Sequence, residues 1–165
     1  MDNQELLVTY GGGVDPVTSF RDRELLFEDL TEALEVAAPP SVLAVFDLAG
    51  VEEYRLRTGI AGADELVARL ARRFEDVMGR RARCYRSRSD EFWALVDGSY
   101  DVARPLLDSA LAALRDEGAG ADVVASFGVA FLPDEAEEPM DALMIADREL
   151  GAARRVRERR RTRRP

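Results

Sequence analysis

The chain contains no histidine and no lysine; all 23 of its basic residues are arginine. Without histidine there is no imidazole to ligate a metal or serve as a general base. Without lysine there is no P-loop lysine and no Schiff-base chemistry. The single cysteine, Cys84, excludes an intramolecular disulfide framework. No apolar run reaches the roughly 18–20 residues that a membrane helix needs. No charged-then-apolar segment of signal-peptide type opens the chain. A cytoplasmic location is the expectation.

What is present is acid, arginine and enough apolar residues for a core. The 165 residues suit one domain. Net charge is −9 and unevenly placed: residues 154–165 hold eight arginines against one glutamate, so the rest of the chain is strongly acidic. An acidic body argues against general nucleic-acid binding. The Arg-rich tail offers a contact to nucleic acid, anionic lipid or an acidic partner. The favoured reading is the solvated end of a last helix, where cations suit the helix dipole.

Apolar spacing divides the chain into elements. Residues 1–14 end in Gly11-Gly12-Gly13 and read as a flexible lead-in. Leu25, Leu26, Phe27, Leu30 and Leu34 form a helical stripe from Arg23 to about Val36, which Pro39-Pro40 stops. Ser41 to Leu48 is a continuous apolar run, the signature of a buried central strand. Leu66, Leu70, Phe74 and Val77 predict a helix over 61–78, with Gly79 as its cap. Residues 82–87 and 92–96 predict two strands joined at an acidic turn. A helix over 101–115, a loop at Gly118-Ala119-Gly120, a strand over 123–132 and a helix from Met140 to about Arg157 complete the chain. This order contains the ferredoxin-like, palm-type βαββαβ pattern. The expected fold class is therefore α+β, an antiparallel sheet of about five strands flanked by helices. The expected domain spans 15–157, with 158–165 as a tail.

The chemistry gathers at strand ends. The strand Val42-Leu43-Ala44-Val45-Phe46 runs into Asp47, and Asp90 and Glu91 sit at the hairpin turn. Carboxylates from neighbouring strands can hold a metal and nucleotide phosphates. Each acid taken alone suits a solvated turn or cap better. Their joint placement favours metal binding.

Six segments in order carry a resemblance. Asp15-Pro16-Val17-Thr18-Ser19-Phe20-Arg21-Asp22-Arg23 is similar to D-x-L-T-G-L-x-N-R, and Phe46-Asp47-Leu48-Ala49-Gly50-Val51 to the end of a D-x-D-x-F strand. Gly59-Ile60-Ala61-Gly62-Ala63-Asp64-Glu65-Leu66 is similar to G-H-x-x-G-D-x-x-L. Arg88-Ser89-Asp90-Glu91-Phe92 stands where G-G-D-E-F would be. Ser126-Phe127-Gly128-Val129-Ala130 is similar to S-x-G-V-A, and Ala146-Asp147 opens a segment like A-D-x-A-L-Y-x-A-K. Together these resemble the GGDEF domain of diguanylate cyclases. The family joins two GTP molecules into cyclic di-GMP, each GTP held by one protomer of a dimer. Its in-line displacement rests on positioning and on neutralisation of phosphate charge. The resemblance implies Mg2+ held by Asp47, the Leu48 carbonyl and Asp90, with Asp90 and Glu91 as the catalytic acids. It implies nucleotide contacts from Asp64, Arg55, Arg88, Ser89 and Arg154, and GTP or a related nucleotide as ligand. A homodimer or a signalling partner protein is the implied assembly.

The departures from the pattern fall on the nucleotide. Arg88 and Ser89 replace the two signature glycines. Arg55 stands for a base-reading asparagine and offers donors only. Leu56 replaces the neighbouring aspartate, while Asp64 is kept. Glu52 replaces a phosphate-binding lysine, and Arg154 a second one. Ile60, Ala63, Ala49 and Gly151 replace a histidine, a glycine, an aspartate and an aromatic. Gly79-Arg80-Arg81-Ala82 occupies the place of the R-x-x-D product site and lacks its first arginine and its aspartate. The expectation is a degenerate domain with little or no cyclic di-GMP synthesis, acting as a nucleotide-binding or protein-interaction module. Two alternatives stay open. One is a divergent active cyclase using Asp47, Asp90 and Glu91. The other is an interaction domain with no nucleotide. Residues 1–14 are too short for a sensory domain, so the chain is expected either to stand alone or to be part of a larger protein.

Overall fold

Ser41–Ala49 forms β1, and every residue from Ser41 to Leu48 is buried. A strand covered on both faces needs apolar residues at successive positions, which is what the run supplies. The computed structural model describes residues 13–118 and 120–163. Most of the expected N-terminal lead-in, together with Ala119 and residues 164–165, lies outside the described residues.

Around β1 the chain places α1 (Arg23–Ala33), α2 (Val51–Met78), β2 (Ala82–Arg88), β3 (Glu91–Asp97), α3 (Tyr100–Ala113), β4 (Asp116–Gly118), β5 (Ala121–Leu132) and α4 (Pro139–Thr162). The five strands run in the order β2-β3-β1-β5-β4, and all neighbours are antiparallel. β3 lies between β1 and β2, which α2 connects; this is the split βαβ arrangement. The α+β palm-type expectation holds, and β4 supplies the fifth strand.

Alternation along β1 sorts the core into two halves. Val42, Ala44, Phe46 and Leu48 pack beneath α2 and α3, with Phe20, Phe74 and Phe92 in the same cluster. Leu43 and Val45 face the other way and pack with α1, α4, Trp93 and Leu95. Asp47 continues that second face at the end of β1 and so points toward α4.

Several boundaries differ from the sequence expectation. The second helix starts at Val51, ten residues before the expected Ala61. Its first part breaks from its second at Gly59, with φ 80° and ψ 179°. That backbone region is essentially reserved for glycine. Apart from Val51 the first part has no fully buried residue, so no buried stripe announces a helix there. The first helix ends at Ala33 rather than near Val36. Its start is set by Asp22, whose carboxylate accepts from the Leu25 N–H at 3.0 Å. The last helix continues to Thr162, past the expected end near Arg157 and through most of the supposed tail.

Candidate functional site

Three adjacent strands bring one polar row to the end of the α4-facing side. Asp47 is paired with Glu91 of β3 on one flank and with Ser126 of β5 on the other. All three are buried, Asp47 at 9% exposure and Glu91 at 8%. The row sits near the end of β1, where α4 passes over the sheet. Leu48 ties the hairpin in: its backbone N–H donates to the Asp90 carbonyl at 2.9 Å.

Arginines from α4 close the row. Arg154 Nη2 donates to Asp47 Oδ1 at 2.8 Å, and Arg157 Nη2 lies 3.6 Å from Asp47 Oδ2. Arg157 also donates through Nη1 to Ser126 Oγ at 2.7 Å. Burial works against the Arg154 charge, but the Asp47 carboxylate outweighs it and the guanidinium is held more basic than usual. Glu91 accepts from Trp93 Nε1 at 2.6 Å. Burial pushes the Glu91 carboxyl above the usual range; Asp147 and Asp90 add to the rise, and Trp93 and Arg88 oppose it.

The turn itself is Ser89-Asp90, closed by the Arg88–Glu91 pair. Two-residue hairpin loops usually need positive φ, hence glycine. Neither residue has it here, and the register shifts between Arg86 and Arg88 instead. Arg86 holds this turn from beneath. Its guanidinium donates to the Ser89 carbonyl at 2.9 Å, to the Arg88 carbonyl at 3.3 Å and to Asp15 Oδ2 at 3.0 Å. Asp15 also accepts from the Thr18 N–H and hydroxyl. Burial pushes the Asp15 carboxyl up, but these bonds and the Arg86 charge hold it below its ordinary value. Arg88 and Ser89 are exposed, and a cavity that borders both is lined by Asp15, Asp22, Arg23 and Arg86.

The family model described as diguanylate cyclase, GGDEF domain, matches residues 13–160. The chain belongs to the GGDEF family. Among solved structures it is similar to the FimX GGDEF domain from Pseudomonas aeruginosa. The two are 28% identical with a TM-score of 0.76, over 87% of this chain and 94% of that one. It is also similar to diguanylate cyclase SiaD, solved with its activator SiaC from the same organism, at 25% identity and TM-score 0.76. That match covers 87% of this chain and 58% of SiaD. The GGDEF domain of DgcB from Caulobacter crescentus, solved with c-di-GMP, shares the fold at 19% identity and TM-score 0.71, over 87% of this chain and 88% of that one. No curated protein matches the chain.

Beside Arg88 and Ser89 on the exposed turn, the other residues expected at the site of this GGDEF domain separate into two groups. Asp47, Leu48, Asp90, Glu91 and Arg154 come together at the strand ends. Arg55 and Asp64 lie on α2, on opposite sides of the Gly59 break, and no hydrogen bond joins them to the strand-end group among the described residues. Arg55 is instead paired with Glu52 one turn back, through Nε to Oε2 at 2.8 Å and Nη2 to Oε1. The pair makes the Glu52 carboxyl more acidic and the Arg55 guanidinium more basic than usual. Leu56 and Ile60 are 74% and 69% exposed where the family pattern has polar side chains.

Arg157, Ser126 and Trp93 belong to the site and were not anticipated. Arg157 was hidden in an arginine-rich run, although its spacing of three from Arg154 places both on one helix face. The oxygens of Asp47, Asp90 and Leu48 are of the chemical type that magnesium prefers. Their arrangement does not fit the ion: both Asp47 oxygens face guanidinium groups and one Glu91 oxygen faces Trp93. No group of three or more Asp, Glu, Cys or His side chains that could hold a metal occurs among the described residues. No described helix is long and apolar enough to cross a membrane.

Proposed function

We propose that this GGDEF domain makes little or no cyclic di-GMP and acts as a GTP-binding or protein-interaction signalling module. The observation that carries the reading is the Glu52–Arg55 pair. By the family pattern these two positions supply a phosphate-binding lysine and a guanine-reading asparagine. Here a carboxylate and a guanidinium stand there and satisfy each other. One interaction removes two nucleotide contacts. Leu56 and Ile60 take polar groups away from the same stretch. Arg88 and Arg154 still offer cations to a phosphate.

The test is a calorimetric titration of GTP, with and without Mg2+. Binding without turnover is expected of a nucleotide-binding module. Absence of binding, together with no thermal shift in the presence of GTP, contradicts the GTP-binding form and leaves protein interaction. A bound nucleotide should stabilise the fold by about 2.7 kcal/mol at 100 times its dissociation constant.

A divergent active cyclase is the second reading. It is favoured by the meeting of Asp47, Asp90 and Glu91 at neighbouring strand ends. Under it, Asp47→Ala and Asp90→Ala abolish product formation. Under the first reading the same changes affect ligand binding alone.

A further inference from the structure

Asp47 has a cation on each oxygen, and both cations belong to the chain. Arg154 Nη2 is 2.8 Å from Oδ1, and Arg157 Nη2 is 3.6 Å from Oδ2. The second guanidinium is positioned from two directions, because its Nη1 donates to Ser126 Oγ at 2.7 Å, and Ser126 is buried. Side-chain exposure is 24% for Arg157 and 13% for Asp47, so bulk water screens this contact incompletely. Guanidinium is weakly hydrated, planar and permanently charged, and it suits such a site better than ammonium would. A small divalent ion faces two obstacles at Asp47. It sheds water reluctantly, and it meets a guanidinium charge at each oxygen of Asp47.

We infer that Arg154 and Arg157 form a built-in counter-cation that takes the place of a divalent ion at Asp47. Arg154 makes the closer contact with Asp47, and Arg157, which Ser126 fixes across the strand ends, covers the second oxygen. A carboxylate that a palm-type site would turn toward a metal is here turned toward its own helix. The inference concerns the same site as the proposed GTP-binding module, but it does not depend on any nucleotide.

The chain supplies a probe. Trp93 is its only tryptophan, and its indole donates to Glu91, the cross-strand neighbour of Asp47. Terbium(III) held at Asp47 and Glu91 would therefore be sensitised by Trp93. The experiment titrates terbium into the nucleotide-free full chain, into Arg157→Gln and into Arg154→Gln/Arg157→Gln, each with and without Asp47→Asn. Glutamine at 157 removes the charge and keeps a polar amide. The wild type is expected to show no saturable luminescence that Asp47→Asn removes. Arg157→Gln should gain such a component, and the double variant should bind at least as tightly as Arg157→Gln. If the double variant fails to fold, as judged by circular dichroism, Arg157→Gln decides alone. Two results overturn the inference: an Asp47-dependent terbium site in the wild type, or a folded Arg157→Gln protein without one. With no nucleotide in the cuvette, failure here leaves the GTP-binding reading untouched, and failure of GTP binding leaves this inference untouched.

Discussion

Glu91 shows how the site loads individual residues. Its carboxyl is buried beside Asp147 and Asp90, and its pKa rises above the ordinary 4.5. The folded state then holds the proton more tightly than the unfolded state does. Stability consequently falls as pH climbs from 4.5 through the raised value, and it stays lower beyond. Glu91→Gln keeps an acceptor for Trp93 and removes the charge. We expect it to melt higher than the wild type at pH 7, with the advantage fading in acid as Glu91 protonates. A lower melting temperature at every pH would contradict this. Asp15 behaves in the opposite sense. Its lowered pKa contributes stability above the ordinary 3.8, lost as pH falls through the folded value. Arg86→Ala removes the partner of Asp15 and the clamp on the turn. It should cost about 2–3 kcal/mol in denaturant unfolding near neutral pH, and less in strong acid. At this scale Asp47, Asp90 and Glu91 were legible because each ends or opens an apolar strand. Arg157 and Ser126 were not, since their partnership exists only once α4 crosses the sheet.

Elements were legible where a buried stripe drives them. β1, β3 and the second part of α2 are written in continuous or periodic apolar residues, and they stand where the pattern places them. The first part of α2 lacks such a stripe, and β4 is too short to show a period. Both depend on tertiary context that no local pattern carries. The packing of α4 on β5 gives the sharpest element-scale prediction. A Cβ on Gly128 would lie 2.2 Å from the Ala146 carbonyl oxygen and 2.2 Å from the Leu150 nitrogen. Both are backbone atoms, so the helix itself must move. Gly128→Ala should cost about 3 kcal/mol or more in equilibrium unfolding. It should also disturb Arg154 and Arg157, which the same helix carries. A change below about 0.5 kcal/mol would mean that α4 sits less tightly on β5 than described.

For the whole molecule the separation of charge matters more than its sum. The acidic body and the arginine-rich end of α4 share one chain, and Glu158 to Arg163 are exposed beyond the packed part of the helix. Removing residues 158–165 should leave the melting temperature within about two degrees of the full chain, because every described residue of that stretch is exposed. A large drop would show that the helix end supports the fold. The fold as a whole was legible from six motifs in order, and the family match bears out that reading. Activity was less legible, because it depends on how substituted side chains pair with one another. Glu52 with Arg55, and Asp47 with Arg154 and Arg157, pair within the protein where the family pattern would leave groups for nucleotide and metal.

The most direct measurement is chromatographic analysis of the products formed from GTP by the purified chain with Mg2+ present. The account predicts unreacted GTP and no cyclic di-GMP above an enzyme-free control. Cyclic di-GMP formed at about 1 per second or faster would contradict it.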